Sequence, residues 1–421
     1  MTDDGRTDRN IRDAWLTTGA LRRLLGVLDR DGEEARVVGG AVRNVLLGMP
    51  IAEIDVATTA VPEEVVKRVT AAGFKPVPTG TGHGTVTVVI DKQPFEVTTL
   101  RRDIETYGRH AKVEFGRDWR ADAQRRDFTI NALSVTRDGT VYDYTGGLND
   151  LNHRRVRFIG DPAKRIAEDY LRILRFFRFH AAYGTGDHPD AAGLAACIAG
   201  RNGLDQLSRE RVRMEILKLV VAPHAVPMLI SMTDAGLLLR VLGGVSYLGS
   251  FESMAKVEAA IGLEPNAVRR LGALAVAVPE DADRLWQRLR LANSEHERLA
   301  SMGEGWGRIS PLYGEKAAKA LLYRLRPQQF SDRVLLGWAR SQATAHDPEW
   351  HALATLPQRW TAPVFLLKAA DFMKRGVAQG PALGAAIAAA EQAWVAAGFP
   401  SDQASLDAIA DETIRASAPR K

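Results

Sequence analysis

Apolar and polar positions change period several times along this chain. Over residues 11–28, Trp15, Leu21, Leu24, Leu25 and Leu28 recur at helical spacing and predict an amphipathic helix. The polar residues 1–10 before it are expected to be disordered. Residues 36–38 read as a short strand running into Gly39 and Gly40. A helix over 41–47 follows, stopped by Gly48, and then a second strand carrying Glu53 and Asp55. Pro62 near its start and Gly73 at its end bound a helix over 62–72. From 74 to 99 the pattern is β-like, with a glycine-rich turn at 80–85 and a hairpin of 85–90 with 94–99 around 91–93. Residues 100–115 are polar and contain Gly108, which predicts a mobile loop. A helix broken near Arg126 is expected over 118–133, and 141–151 contains a turn at Gly146 and Gly147 before a short helix.

The second half reads as helical. Asp161 suits an N-cap and Pro162 the first position of a helix over 161–180. There Ile166, Tyr170, Ile173, Leu174 and Phe177 form one apolar stripe about 100° wide. Asp169, Arg172, Arg175 and Arg178 fall on the opposite half, either as a salt-bridged solvent face or as a binding face. A further helix over 206–220 starts with Ser208 as N-cap and Arg211 in the capping-box position. Beyond Pro223, helical patterns follow at 225–239, 254–261, 266–277, 282–289, 294–302, 315–325 and 332–344. The Ala-rich stretch 384–397 reads as a close-packed helix.

Composition narrows the class. A chain of 421 residues has room for roughly two to four domains. Hydrophobic residues at 46% and charged residues at 25% describe an ordinary globular protein. The net charge of +5 fits a polyanionic partner, although many proteins share it. A single cysteine, Cys197, excludes a disulfide framework and a cysteine-based zinc site and reads as a small buried hydrophobe. The polar first residues lack the apolar core of a signal peptide, and no run is long and apolar enough to span a bilayer. A reducing cytoplasm is the expected compartment.

Candidate chemistry concentrates at residues 37–58. Gly39 and Gly40 allow a backbone to approach a bound group closely. A helix opening after them points N–H groups at that place, which suits phosphate, and Arg43 can add a bidentate contact. Carboxylates at i and i+2 of a strand share a face, so Glu53 and Asp55 can hold one or two Mg²⁺ ions beside a substrate phosphate.

In order and spacing, VVGGAVRNVLLGMPIAEIDVAT resembles the GGxVRD…DxD signature of the class II tRNA nucleotidyltransferase and bacterial poly(A) polymerase family. Asn44 stands where the family has Asp, and Glu53 where it has the first metal-binding Asp. RRDFTINAL and EDYLRILRF, within 125–177, resemble further motifs of the family, firmly over residues 35–220 and faintly beyond. The resemblance implies Glu96, in PFEVTTLR, as a third catalytic carboxylate. It implies Arg126 on the triphosphate, Asp127 on the ribose hydroxyls, and a flexible loop at 100–115. It also makes Asp169 and Arg172 the readers of the incoming base. That role has a physical logic. C and A each present an amino donor beside a ring-nitrogen acceptor, which a carboxylate and a guanidinium match, whereas U and G present the reverse. Arg175 and Arg178 would lie nearer the phosphates.

The fold so implied is α+β. A polymerase β-like nucleotidyltransferase head with a small, mostly antiparallel sheet covers residues 1–160. A helical neck that recognises the base covers 161–222, and a helical body and tail that bind tRNA cover 223–421. The implied activity is template-independent addition of CCA to tRNA from CTP and ATP, with two Mg²⁺ held by Glu53, Asp55 and Glu96. A poly(A) polymerase, an enzyme adding only CC or only A, and a catalytically silent RNA-binding protein stand as alternatives.

Overall fold

Four valines in one row explain the sheet. Val37 pairs with Val56, Val56 with Val97 and Val97 with Val86, and all four are buried. Register partners share a face, so this row forms one apolar side. The next row across the same strands is Val38, Asp55, Glu96 and Thr87. It carries the acidic residues on the opposite side.

The computed structural model describes residues 4–80, 84–107, 110–186 and 188–417. Its first compact unit comprises Met1–Ser246 with Arg288–Arg290. In chain order its first elements are β1 (Arg6–Asn10), α1 (Ala14–Thr17), α2 (Gly19–Leu28), β2 (Ala35–Val38), α3 (Gly40–Leu46), β3 (Asp55–Thr58) and α4 (Pro62–Ala71). Then come β4 (Lys75–Gly80), β5 (Thr85–Ile90), β6 (Gln93–Thr99), β7 (Arg101–Tyr107), β8 (His110–Phe115) and α5 (Trp119–Gln124). β9 (Ser134–Val135), β10 (Thr140–Tyr142) and α6 (Gly147–Asn152) complete the sheet region. Helices α7 (Pro162–Glu168), α8 (Leu171–Tyr183), α9 (Ala191–Gly200) and α10 (Arg209–Val220) follow. The eight-stranded sheet runs β1-β10-β9-β2-β3-β6-β5-β4, and β7 and β8 form a separate ribbon. Every neighbouring pair is antiparallel except β3 with β6. Buried leucines of α2 and Val65 and Val69 of α4 add to the core.

Several expectations need correction. The N-terminal residues are not disordered throughout. β1 is an edge strand on β10, bound by backbone pairing and by Ile11 N–H donating to Gly139 O at 2.8 Å. Its residues are mostly exposed, so no hydrophobic alternation betrays it. The helix expected over 11–28 breaks at Thr18, where the backbone is extended. Of the residues expected to form a loop, Arg101–Tyr107 and His110–Phe115 form the β7–β8 ribbon, again through backbone pairing. Gly108 and residues 81–83 of the glycine-rich turn lie outside the described residues. The single helix expected over 161–180 is two, α7 and α8, with Asp169 extended between them.

The second unit, Tyr247–Gln287 with Leu291–Lys421, is helical. The helices expected at 315–325 and 332–344 merge into one run, Gly314–Ala339, which ends five residues earlier than expected and is kinked at Arg326 (φ 66°) before Pro327. The Ala-rich stretch lies in the helix Pro381–Ala397 and buries Ala386, Ala390 and Trp394. The helix Gln403–Ser417 was not anticipated. Among the described residues, no helix is long and apolar enough to cross a membrane.

Candidate active site

A cavity of about 580 Å³ in the first unit gathers most of the expected residues. Gly39, Gly40, Arg43, Glu53, Asp55, Arg126, Asp127, Asp169, Arg172 and Arg175 line it, together with Arg125, Asn131 and Arg211. Glu96 and Arg178 are not in its lining.

Glu96 nevertheless stands beside it. The parallel pairing of β3 and β6 sets Glu96 opposite Asp55. Alternation along β6 buries Phe95, Val97 and Thr99 and leaves Glu96 exposed. β3 begins only at Asp55, so Glu53 lies in irregular chain before the strand and not on it, a correction to the expected i, i+2 arrangement. The Asp55 carboxyl opens to solvent, yet its pKa is raised. The low-dielectric surroundings contribute most, then Glu96 and, more weakly, Glu53, while Arg126 opposes them. Among the described residues, no three His, Cys, Asp or Glu side chains converge into a ready-made metal cage. Two adjacent hard-oxygen carboxylates still fit Mg²⁺, which is commonly held by one or two carboxylates with water and substrate phosphates.

Gly39 has φ +71° and ψ −123°, a conformation natural to glycine, and its N–H donates to Leu133 O at 3.0 Å. A Cβ there would lie 3.3 Å from Arg126 Nη1. Arg43, expected to reach out to phosphate, is instead buried. Its guanidinium donates to Asn131 Oδ1, to Asn44 Oδ1 at 2.9 Å and to Tyr183 Oη at 2.7 Å, and it stacks on the Tyr183 ring at 3.8 Å. Burial brings its pKa down to about 10. Asn44 is thus a partner of Arg43, and it also donates to Pro50 O at 2.8 Å.

In the RRD turn, Arg125 and Arg126 both bind Asp122, at 2.6 and 3.1 Å. Burial raises the Asp122 pKa, but the two guanidiniums outweigh it and hold the carboxyl below its ordinary range. Asp127 accepts from Phe128 N–H at 2.9 Å, Asn131 Nδ2 at 3.0 Å and Arg175 Nη2 at 2.6 Å. Burial again acts upward, and Arg175 with Asn131 brings the net shift down. Asp127 therefore stays ionised and oriented.

The side chains of Asp169 and Arg172 make no ion pair with each other among the described residues, although the Arg172 N–H donates to the Asp169 carbonyl at 3.0 Å. Asp169 ends α7 and turns the chain into α8. Its Oδ1 accepts from Leu171 N–H at 3.1 Å and its Oδ2 from Arg211 at 2.6 Å. The extended backbone of Asp169 ends α7, and its carboxylate, paired with Arg211, also accepts from the first N–H of α8. Arg172 donates through Nη1 to Arg165 O at 2.7 Å and to Glu168. Its Nε and Nη2 have no protein partner among the described residues. Arg175 and Arg178, expected near the phosphates, are tied to Asp127 and to buried Glu215.

Sequence reasoning therefore missed Asp122, Glu168 and Glu215, which orient the arginines, and Arg211, which holds Asp169. A carboxylate three or four positions before Arg125 and Arg126 was a readable signal for Asp122. Nothing local marked Arg211. It sits in the capping-box position, but Ser208 makes no side-chain cap. Asp143 was missed as well. Buried, it accepts from the N–H groups of Thr145, Gly146, Gly147 and Leu148 at 2.9–3.0 Å and so builds the turn before α6.

Comparison with known proteins agrees with this geometry. A model of the poly(A) polymerase head domain matches residues 35–157, and one described as a probable RNA- and SrmB-binding site of polymerase A matches 192–248. Over 407 residues the chain is 33% identical to human CCA tRNA nucleotidyltransferase 1, mitochondrial, covering 93% of this chain and 89% of the relative. It is 31% identical over 399 residues to the CCA-adding enzyme of Limosilactobacillus fermentum, covering 94% and 97%. The Bacillus stearothermophilus CCA-adding enzyme, solved in complex with CTP, superposes with a TM-score of 0.72 at 25% identity over 94% of this chain and 97% of that one. With a head sheet that sets two carboxylates across from an arginine-lined helix break, and with relatives matched along almost their whole length, the chain belongs to the family of CCA-adding tRNA nucleotidyltransferases.

Proposed function

We infer that this protein adds C, C and A to the 3′ end of tRNA by nucleotidyl transfer from CTP and ATP, with release of pyrophosphate and without a nucleic-acid template. The observation that carries the reading is the single cavity that joins Asp55, beside Glu96, to Arg126, Asp127, Asp169 and Arg172. Asp55 and Glu96, with Glu53 as a third, are the proposed Mg²⁺ ligands. The bound ions would lower the pKa of the attacking 3′-hydroxyl and neutralise charge on the leaving phosphates. Arg126, close over Gly39, faces the triphosphate, and Asp127, held ionised, accepts from the ribose hydroxyls. Arg43 shapes the floor of this site and adds positive charge. Arg172 offers its free N–H groups to the ring nitrogen of C or A, and Asp169 accepts from the amino group. Arg175 and Arg178 fix Asp127 and Glu215 in place.

The head over 1–160 and the neck over 161–222 then form the catalytic half, and the helices of 223–421 carry the tRNA. The compartment we propose is the cytoplasm, in keeping with a chain whose single cysteine, Cys197, calls for no oxidising environment. The test is incubation of the purified protein with tRNA lacking CCA and each labelled triphosphate, with and without Mg²⁺. Ordered addition of C, C and A, lost in chelator, is expected. A long run of A would assign poly(A) synthesis instead, and binding without incorporation would overturn the enzymatic reading.

A further inference from the structure

Arg165 does not line the nucleotide cavity. Its side chain is 11% exposed and borders a separate cavity of about 700 Å³. Its Nη2 donates to the backbone carbonyls of both Arg125 and Arg126. α5 ends at Gln124 with Arg125 as its cap, so these oxygens belong to a helix C-terminus that lacks partners of its own and favours a cation. Arg165 Nη1 donates to Glu168 Oε2 at 2.5 Å, and the same oxygen accepts from Arg172. Arg172 in turn reaches the Arg165 carbonyl at 2.7 Å. One guanidinium thus ties the turn carrying Arg126 and Asp127 to the helix break carrying Asp169 and Arg172.

We propose that Arg165 is a positioning residue that sets the spacing between the triphosphate–ribose side of the site and the pair that reads the base, and thereby the choice among the four triphosphates. The proposal rests on the base-reading role given above to Asp169 and Arg172. A bound nucleotide has a fixed length from ribose to pairing edge. If the two protein anchors drift apart, hydrogen bonds at one end must lengthen, and an ångström of misplacement can cost roughly a hundredfold in rate. Lysine cannot replace the fork. A single ammonium centre does not span two carbonyls and a carboxylate in one plane.

The experiment measures kcat and KM for all four triphosphates on tRNA lacking CCA, with Arg165→Lys, Glu168→Gln and Arg172→Ala in parallel. Arg165→Lys is expected to lower kcat/KM for CTP and ATP by roughly tenfold to a hundredfold, mainly in kcat. The preference for CTP over UTP should narrow. Glu168→Gln, at a 33% exposed side chain, should narrow it less. A residue that only supports the fold would lower all four triphosphates equally and leave the ratios alone. Unchanged ratios in Arg165→Lys, while Arg172→Ala alters them, would overturn the positioning role alone. Unchanged ratios in Arg172→Ala would overturn the base-reading role and this proposal with it. If Arg165→Lys does not fold, Glu168→Gln decides: wild-type ratios there reject the link from Arg165 to Arg172.

Discussion

The network of arginines and carboxylates around the nucleotide cavity and the one around Glu258 and Asp332 in the second compact unit differ in what is left over. In the second unit Glu258 and Asp332 are completely buried. Glu258 binds Arg269 and Arg270, each at 2.7 Å, and Asp332 binds Arg269 at 3.1 Å and Arg298 at 2.8 Å. All four carboxylate oxygens are taken, with Gln328 adding to Asp332. In the nucleotide cavity the pairing is incomplete. Asp122, Asp127, Asp169 and Glu215 are matched to arginines, but Arg172 keeps free N–H groups. The carboxylates of Asp55, Glu53 and Glu96 have no hydrogen bond or ion pair among the described residues. A closed network holds a fold. An open one, with surplus cations facing surplus anions across a cavity, has capacity for a ligand that carries both phosphates and a metal.

This contrast can be broken experimentally. Asp55→Ala removes a proposed metal ligand, not a core residue. Metal-site charge stabilisation is worth several kcal/mol, so kcat should fall by roughly a thousandfold while thermal unfolding stays as in the parent. Substantial turnover would remove Asp55 from the site. Glu53→Asp, in the same assay, should be tolerated or improve activity.

Glu258→Ala tests the closed network. It leaves two buried guanidiniums unpaired, which costs about 3–5 kcal/mol and should appear in urea denaturation as an earlier transition of the second unit. A midpoint within error of the parent would show that the network contributes nothing.

Arg172→Ala tests the open one. Loss of a hydrogen bond from a charged group costs about 1.5–3 kcal/mol, a tenfold to hundredfold drop in efficiency with CTP and ATP, with misincorporation of UTP or GTP rising. Its effect on unfolding should be smaller than that of Glu258→Ala, because the substitution leaves no buried charge without a partner. Equal discrimination in Arg172→Ala and Asp169→Ala would return these residues to a salt-bridged face.

The smallest effect is on pH dependence. The folded-state pKa of Asp55 is raised, so the folded protein holds this proton more tightly than the unfolded chain. The resulting stability is present at low pH and is lost as pH rises through the raised value. In chelator at neutral pH, Asp55→Asn should therefore melt slightly higher than the parent, and the gain should vanish below about pH 4. Solvent screening of this exposed carboxyl keeps the shift small. A melting temperature that falls at neutral pH would mean that the ionised form is stabilised instead.

Much of the site was legible in the chain. Gly39 and Gly40, the RRD turn and the EDYLR segment announced themselves by spacing, because short motifs carry their own geometry. The hairpin of β5 and β6 was readable as β-like chain, and the stripe from Ile166 to Phe177 announced core-facing helix. Those signals are local. Each records whether a residue is buried relative to its near neighbours.

Tertiary structure alone decided the rest. Parallel pairing of β3 with β6 sets Glu96 opposite Asp55, and no local pattern encodes a strand register. Backbone pairing of β1 and of β7 with β8 depends on edges that polar residues do not advertise. The break at Asp169 and the commitments of Arg43 to Tyr183, Arg175 to Asp127 and Asp169 to Arg211 depend on partners distant in sequence. An arginine has the same helix position whether it faces solvent, a phosphate or a carboxylate. Which of these it meets is set only when elements remote in the chain pack together, because an ion pair is a property of two places at once.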